Sequence, residues 1–265
     1  MKRSPVIWFL CAVAAALILI FGLYSIVFSD SMIKGLIENS LKGSDLSVEI
    51  TNLKKGIFFS LSSDRITLKK SGNVLLSIDN ASGKINPLSL IMMRLTLHFD
   101  GVIGGGRMNG AINLFGGKNL TTIGISDAHI EEIPFFALIG LNGSGVLSGG
   151  LKLQNGSGET RVEIREARFK TGNFGGVTVP LEMFDGARGA LTIGRSMLKV
   201  VSFSMEGRGI YARIKGNVAG GQTDLTMELM PEKTFSEHNP LLSLVESYKV
   251  SPGFYSIPIK STLNF

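Results

Sequence analysis

The dominant pattern in this chain is a regular alternation of apolar and polar residues over short stretches. In "LTLHFD" the leucines and the phenylalanine fall on one face, and threonine, histidine and aspartate fall on the other. The stretches "RMNGAINL" and "GIYARIKGNV" repeat this period of two, which indicates strands with one buried face. The candidate apolar-face residues are Leu95, Leu97, Phe99, Ile112, Leu114, Ile210 and Ile214.

Weaker alternations recur along the chain, and turn-forming stretches such as "KSGN", "LFGGKN" and "QNGSG" separate them. About a dozen short strands of this kind predict a large antiparallel sheet with one apolar face and one polar face. The predicted fold class is therefore mainly β: an N-terminal transmembrane helix, then a large curved antiparallel amphipathic sheet with a few short helices.

Three stretches depart from the alternation and predict helical segments. Residues 29–44 carry Ile33, Leu36 and Ile37 at helical spacing and predict a short amphipathic helix. Residues 134–141 predict a short apolar helix or turn. In "NPLLSLVESYKV" Asn239 can cap a helix in which Pro240 is the first residue, and the predicted helical stripe consists of Leu241, Leu244, Val245 and Tyr248.

The N-terminus predicts a membrane anchor. Residues 6–28 contain no charged residue, and their 23 positions exceed the 20 or so that span a bilayer. The alternative is a cleaved signal peptide, whose apolar core is shorter than this run. The predicted membrane-spanning residues include Val6, Trp8, Leu10, Leu17, Ile18, Leu19, Phe21 and Phe28.

Lys2 and Arg3 precede this run, and the positive-inside rule places them in the cytoplasm. The predicted organisation is then a cytoplasmic tail (1–5), a transmembrane helix (6–28), an amphipathic helix (29–44) and an exported β-rich domain (45–265). In a bacterium with two membranes, the chain would be a single-pass protein of the inner membrane with its C-terminal domain in the periplasm.

Glycine is abundant in this chain, and the densest run is "FDGVIGGGRMNGAINLFGG". Phosphate-binding loops need G-x-x-x-x-G-K-[ST] or G-x-G-x-x-G between a strand and a helix. Here the run lies between two alternating segments, so no helix faces an anion. Gly104, Gly105 and Gly106 are therefore predicted to form a turn or bulge where the sheet bends.

Composition and motifs give little support for catalysis or for nucleic-acid binding. The net charge is +6 and no run of five basic residues occurs, so no nucleic-acid partner is expected. Cys11 is the only cysteine, which excludes an internal disulfide. His98, His129 and His238 lack metal-motif spacing, although acidic residues around His129 leave a weak metal site open. We predict no enzyme activity, no catalytic residue, no cofactor and no metal.

The order of segments resembles a known family. The stretch "VEITNLKKGIFFSLSSDRITLKKSGNVLLSIDNASGKINPLSLI" looks like the opening of AsmA-like proteins, and "LHFDGVIGGGRMNG" looks like their glycine-rich hairpin. The ending "NPLLSLVESYKVSPGFYSIPIKSTLNF" is similar to the type II secretion system protein N family. This resemblance implies an AsmA-like domain at 45–265. It also implies an inner-membrane accessory component of type II protein secretion, with other secretion components as partners.

Two alternative functions stay open at this point. A curled apolar face that is not filled by side chains can hold acyl chains, which would make the protein a lipid-binding or lipid-transfer protein. The alternating end "SIPIKSTLNF" finishes on phenylalanine and resembles an outer-membrane β-barrel signal. Against the barrel stand the uncleaved helix and the lack of an aromatic girdle.

Overall fold

A computed structural model of the chain describes residues 29–39, 46–56, 59–85, 95–115, 119–174, 177–194, 197–220 and 222–262. The first nine strands are β1 (Leu46–Thr51), β2 (Lys54–Lys55), β3 (Ser60–Lys70), β4 (Asn73–Ile85), β5 (Leu95–Ile103), β6 (Gly106–Phe115), β7 (Leu120–His129), β8 (Gly143–Gln154) and β9 (Ser157–Phe169). The remaining strands are β10 (Gly172–Phe174), β11 (Val177–Val179), β12 (Gly186–Ile193), β13 (Met197–Gly207), β14 (Ile210–Ala219), β15 (Gln222–Pro231), β16 (Lys249–Ser251) and β17 (Phe254–Thr262).

The helices are short and lie between strands or before the first strand. The α-helices are α1 (Asp30–Asn39), α2 (Pro134–Leu138) and α3 (Lys233–His238). The 3₁₀ helices are η1 (Ile130–Glu132), η2 (Leu181–Met183) and η3 (Pro240–Tyr248). None of the helices within the described residues is both long enough and apolar enough to cross a membrane. The segment predicted as an anchor, 6–28, lies outside the described residues.

Fifteen strands form one antiparallel sheet. Its order is β1-β3-β4-β5-β6-β7-β8-β9-β12-β13-β14-β15-β17-β16, with β2 paired to β3. Strands β10 and β11 form a separate two-stranded hairpin. Almost every strand pairs with its neighbour in sequence because short turns join antiparallel strands directly. The prediction of a mainly β chain built on a large antiparallel sheet is confirmed.

One face of this sheet, the inner face, is apolar from strand to strand. Directly paired residues on neighbouring strands form one continuous row from β7 to β17. Every residue of this row is at most 7% exposed. The row consists of Ala128, Leu147, Ile164, Ala187, Met205, Ala212, Leu229 and Tyr255. Its burial follows from the period of two, which directs alternate side chains to the same side.

Three β-bulges interrupt the strands on the side opposite this inner face. Asn80 in β4, Asp127 in β7 and Glu166 in β9 have φ of +49°, +56° and +53°, and the pairing register shifts beside each of them. All three residues are exposed. A bulge adds one residue to one strand and bends it. The extra residues therefore lie on the exposed side of the sheet, opposite the inner face.

The C-terminal half of the sheet, β12 to β17, has a filled core beneath its inner face. The filling side chains come from the segments that connect the strands, and each is at most 3% exposed. They are Val179, Leu181, Phe184, Leu242 and Val245. The predicted apolar-face strand residues Ile210 and Ile214 also belong to this half: Ile210 is 4% exposed, and Ile214 packs against the core.

The segment predicted as a helix after Asn239 is a 3₁₀ helix, and this changes which residues are buried. Leu242 and Val245 are buried and Tyr248 is half-buried, at a spacing of three. A 3₁₀ helix has three residues per turn, so residues three apart share a face. Leu244, which was predicted to lie on the apolar stripe, is therefore 48% exposed.

Candidate ligand-binding groove

An unfilled cavity lies against the inner face of the N-terminal half of the sheet. Its volume is about 630 Å³, and its walls come from β1 and from β3 to β9. We call this cavity the groove. Its apolar lining residues are Val48, Ile50, Leu53, Leu61, Ile66, Leu68, Leu76, Ile78, Ala81, Leu97, Phe99, Ile103, Met108, Ile112, Ile123, Ile125, Leu147, Leu151 and Val162.

The groove crosses eight consecutive strands of the sheet. At a strand spacing of about 4.8 Å, the seven intervals between them correspond to roughly 30 Å along the sheet. Val48 in β1 and Val162 in β9 both line this one cavity. The groove is therefore an extended apolar trough, and its length is comparable to the hydrocarbon thickness of a bilayer.

The few polar residues in the wall do not turn the groove into a polar site. Ser62, Ser82, Asp100 and Thr160 contribute to the lining. Ser63 is 5% exposed, and its hydroxyl lies 2.6 Å from the carbonyl oxygen of Thr51 and 3.0 Å from that of Arg65. Because a buried hydroxyl needs a hydrogen-bond partner, this internal bond satisfies Ser63 within the wall.

Gly110 on the inner face leaves room for the aromatic ring of Phe99 in the groove. Phe99 and Gly110 are direct partners between β5 and β6. A Cβ atom at Gly110 would lie 2.4 Å from Cζ of Phe99, closer than any side chain allows. The ring therefore occupies the volume that a side chain at Gly110 would need, and this keeps the trough open above it.

The predicted apolar-face residues of the N-terminal half divide into two sets. Leu97, Phe99 and Ile112 are half-buried and line the groove. Leu95 and Leu114 belong to β5 and β6 by backbone, but their side chains lie outside the described residues. The remaining groove residues, including those of β1, β3 and β4, were not singled out from the sequence. Their signal was present in the alternations of Val48 with Ile50 and of Ile66 with Leu68.

The three consecutive glycines lie at the turn between β5 and β6. Gly104 and Gly105 have φ of +52° and +70°, in the left-handed region that favours glycine. Gly106 begins β6, and a Cβ there would lie 2.4 Å from the backbone nitrogen of Ala128. The amide of His129 also donates a 2.7 Å hydrogen bond to the carbonyl oxygen of Gly104. The turn is thus packed directly against the end of β7.

Helix α1 is attached to the β1 end of the groove by two side-chain hydrogen bonds. The amide of Ile50 donates to Oε1 of Glu38 at 3.1 Å, and the amide of Lys55 donates to Oδ1 of Asp30 at 3.2 Å. Ile50 is 1% exposed and lines the groove. The two bonds therefore tie the helix to the edge strand β1 and to the neighbouring strand β2.

Charged groups lie mainly on the outer face and form ion pairs there. Asp127 accepts a hydrogen bond from Arg165 at 3.1 Å, so it is paired across the bulges of β7 and β9. Nδ1 of His129 lies 3.8 Å from Oε1 of Glu131. Among the residues that the structure describes, no group of three histidine, cysteine or acidic side chains is arranged to hold a metal ion.

The fold and groove define a class of architecture: an open amphipathic sheet, half of it filled and half of it a trough. Comparison of the chain with protein-family models, with curated proteins and with solved structures finds no match. The resemblance to AsmA-like proteins and to the type II secretion system protein N family therefore stays a prediction from sequence. The predicted membrane-spanning residues Val6 to Phe28 lie outside the described residues.

Proposed function

We propose that the groove binds acyl chains of membrane lipids. The observation that carries this proposal is the unfilled apolar volume of about 630 Å³, which lies within the usual range for small-molecule sites. Protein interiors are normally close-packed, so a trough of this size lined by aliphatic side chains needs an occupant or leaves its wall exposed to water. Each methylene that leaves water for such a wall gains about 0.8 kcal/mol.

The lining favours a hydrocarbon chain over a compact polar ligand. Polar cofactors are oriented by a few converging donors and acceptors. In this groove the buried hydroxyl of Ser63 is satisfied by the wall itself, and the other polar contributors are at its margins among exposed or half-buried positions. An extended apolar trough with satisfied walls matches a ligand whose buried part carries no hydrogen-bonding group.

A photochemical experiment on the full chain tests this proposal. The protein is reconstituted into phospholipid vesicles that contain a trace of a phospholipid with a diazirine at the end of one acyl chain. After irradiation, the cross-linked peptides are identified by mass spectrometry. We expect cross-links on groove residues of β4 to β8, and none on the filling segment that carries Leu181 and Phe184.

A matched pair of substitutions makes the result specific. Ala81 lines the groove, whereas Ala111 lies on the opposite face of β6, between His98 and Thr122. Ala81→Trp should reduce groove cross-linking severalfold because the indole occupies the trough, and Ala111→Trp should leave it unchanged. Equal cross-linking in both variants, or none in the wild-type protein, would overturn the proposal.

A second proposal rests on the sequence resemblance. We propose that residues 6–28 anchor the chain in the inner membrane and that the exported domain associates with components of a type II secretion system. The supporting observations are the uncharged run of 23 residues and the similarity of the C-terminal stretch 239–265 to the protein N family. Affinity capture of the full chain should recover secretion components. Normal secretion in a deletion strain, together with no such recovery, would remove this proposal.

A further inference from the structure

The groove ends at a definite place in the sheet. Its last lining residues, Thr160 and Val162, belong to β9, and among the described residues none from β12 or from the strands beyond lines the cavity. The apolar inner face nevertheless continues past this point. The row that contains Val162 runs on through Gly189 in β12 to Phe203 in β13. The groove therefore does not end because the inner face becomes polar, and another feature must close it.

The closing element is a side chain that lies over a glycine. A Cβ atom at Gly189 would lie 2.6 Å from Cδ2 of Phe203 and 2.9 Å from Cγ2 of Val162. The two side chains therefore approach each other across the space that Gly189 leaves empty. Both side chains are partly buried and pack against the hydrophobic core.

We propose that Phe203, packed behind the last lining residue Val162, acts as the end wall of the groove and sets the longest acyl chain that the groove accepts. This inference rests on the proposed lipid binding. Gly189 alone would leave a gap between the groove and the C-terminal half at this row. The Phe203 ring fills that gap from β13, and Val162 supports it from β9. A chain that lies along the trough from β1 meets this ring after crossing β9.

The chain also provides a matched control within the same trough. Phe99 lies over Gly110 in the same manner, but at the middle of the groove and not at its end. Truncation of Phe99 therefore deepens the trough without lengthening it, whereas truncation of Phe203 lengthens it. Each substitution removes one phenyl ring that lies over a glycine of the inner face. The two variants therefore lose the same side-chain atoms and differ only in the position of the loss.

Competition by a homologous series of saturated fatty acids tests the proposal. The full chain in vesicles is cross-linked to the diazirine phospholipid while fatty acids of increasing length compete. For the wild-type protein, we expect competition to strengthen about fourfold per methylene until the groove is full, and then to level off. In Phe203→Ala the levelling point should move to chains longer by roughly two to four methylenes, the space left by the ring. In Phe99→Ala it should stay where it is.

Val162→Phe provides a test of the opposite sign, because added bulk at the end of the groove should move the levelling point to shorter chains. Thermal melting of each variant shows whether it is folded, and Phe203→Leu replaces Phe203→Ala if the latter is not. A wild-type protein with no chain-length dependence would overturn the lipid-binding proposal itself. A clear wild-type limit that neither Phe203 truncation nor Val162→Phe moves would overturn the end wall alone.

Discussion

The two halves of the sheet share one apolar inner face but differ in what covers it. In the C-terminal half, Leu181 and Phe184 come from the connection between β9 and β12, and Leu242 and Val245 come from the connection between β15 and β17. In the N-terminal half, the β3–β4 and β5–β6 connections are tight turns that bring no side chain onto the face. Among the connections that the structure describes, those of the C-terminal half therefore fill the inner face, whereas these two turns leave it open.

The α2 region forms an intermediate case that supports this interpretation. The connection between β7 and β8 is longer, and it contributes the buried residues Ile130 and Ile133. Helix α2 contacts β4, beyond the end of β5. This connection covers one end of the N-terminal half, whereas Phe135 and Leu138 are more than a third exposed. The connection between β7 and β8 thus covers only part of the inner face, and the groove lies against the part that is left uncovered.

Truncation of equivalent leucines in the two halves should give the largest difference. Leu181 is 1% exposed in the filled core, whereas Leu97 is half-buried in the groove wall. Leu181→Ala should lower the free energy of unfolding by about 2–5 kcal/mol, because it removes buried contacts and leaves a cavity. Leu97→Ala should cost only about 1 kcal/mol, since it enlarges a space that already exists. Chemical denaturation of the purified full chain measures both, and equal losses would contradict the distinction between core and groove.

Added volume should distinguish the halves in the opposite direction. Ala212 is 0% exposed beneath the C-terminal core, and Ala81 lines the groove. Ala212→Leu should destabilise the protein by about 1–3 kcal/mol, because a close-packed core cannot accept the extra methylenes without strain. Ala81→Leu should be neutral or slightly stabilising, as its side chain enters free apolar space. A similar loss of stability in both variants would mean that the groove is already full.

The sequence predicts the inner face well but not its bends or its filling. Alternation places Leu97, Phe99 and Ile112 on one face because the period of a strand is two. The bulge residues Asn80 and Glu166 carry no such signal, since a polar residue at an outer position reads as an ordinary strand residue. The bend and the turn are therefore separate features: the consecutive glycines lie at a hairpin turn, and the bulges lie within strands.

One filling segment was missed, and the other was predicted as an α-helix with a different apolar face, for a related reason. "VPLEMFDGA" has no helical or strand period, because it crosses the inner face as a 3₁₀ turn with extended flanks. Leu242, Val245 and Tyr248 have a period of three, which resembles a helical stripe until the 3₁₀ geometry is known. Which part of the inner face these segments would cover depends on contacts between residues far apart in sequence, and no local pattern contains that information.

Glycine turns at corresponding ends of the two halves provide a test of intermediate size. Gly105 has φ of +70° and its Cβ would meet only ordinary contacts, whereas Gly209 has φ of +76° and its Cβ would lie 3.2 Å from Cβ of Phe235. Gly105→Val should cost about 1–3 kcal/mol through backbone strain, and Gly105→Asn should be milder because asparagine tolerates this region.

Gly209→Asn should cost more than Gly105→Asn, because Phe235 packs against the filled core and cannot move away freely. Melting temperatures of the three variants provide the comparison. A rise in wild-type melting temperature with added nucleotide would revive a phosphate-binding role for the Gly104–Gly106 turn. If Gly209→Asn were the milder of the two asparagine variants, the packing difference between the halves would not extend to their turns.

The outer face is where the two halves should behave alike, and the expected effects there are the smallest. Glu228 on β15 accepts hydrogen bonds from Nζ of Lys215 and from Nη2 of Arg213, each at 2.7 Å, and these bonds hold its pKa below that of an ordinary glutamate. Because the pKa of Glu228 is lower in the folded state, its contribution to stability is present above the unfolded value and is lost as pH falls through the folded value. Glu228→Gln should therefore cost about 0.5 kcal/mol at neutral pH, since both cationic partners are largely exposed. This deficit should disappear in acid.

The N-terminal counterpart is Asp79, whose Oδ1 accepts a 2.5 Å hydrogen bond from Nε of Arg65. The two side chains are 41% and 58% exposed, so solvent and salt screen the pair strongly and Asp79→Asn should leave the free energy of unfolding within experimental error. Urea denaturation of both variants between neutral and acidic pH measures the two effects together. If Asp79→Asn lost as much stability as Leu181→Ala, the N-terminal half would depend on its outer face for stability, and the contrast between the halves would not be confined to the inner face. Small losses of stability in both variants would instead show that the outer face contributes little in either half. The difference between the halves would then lie in the side chains that the connections place against the inner face.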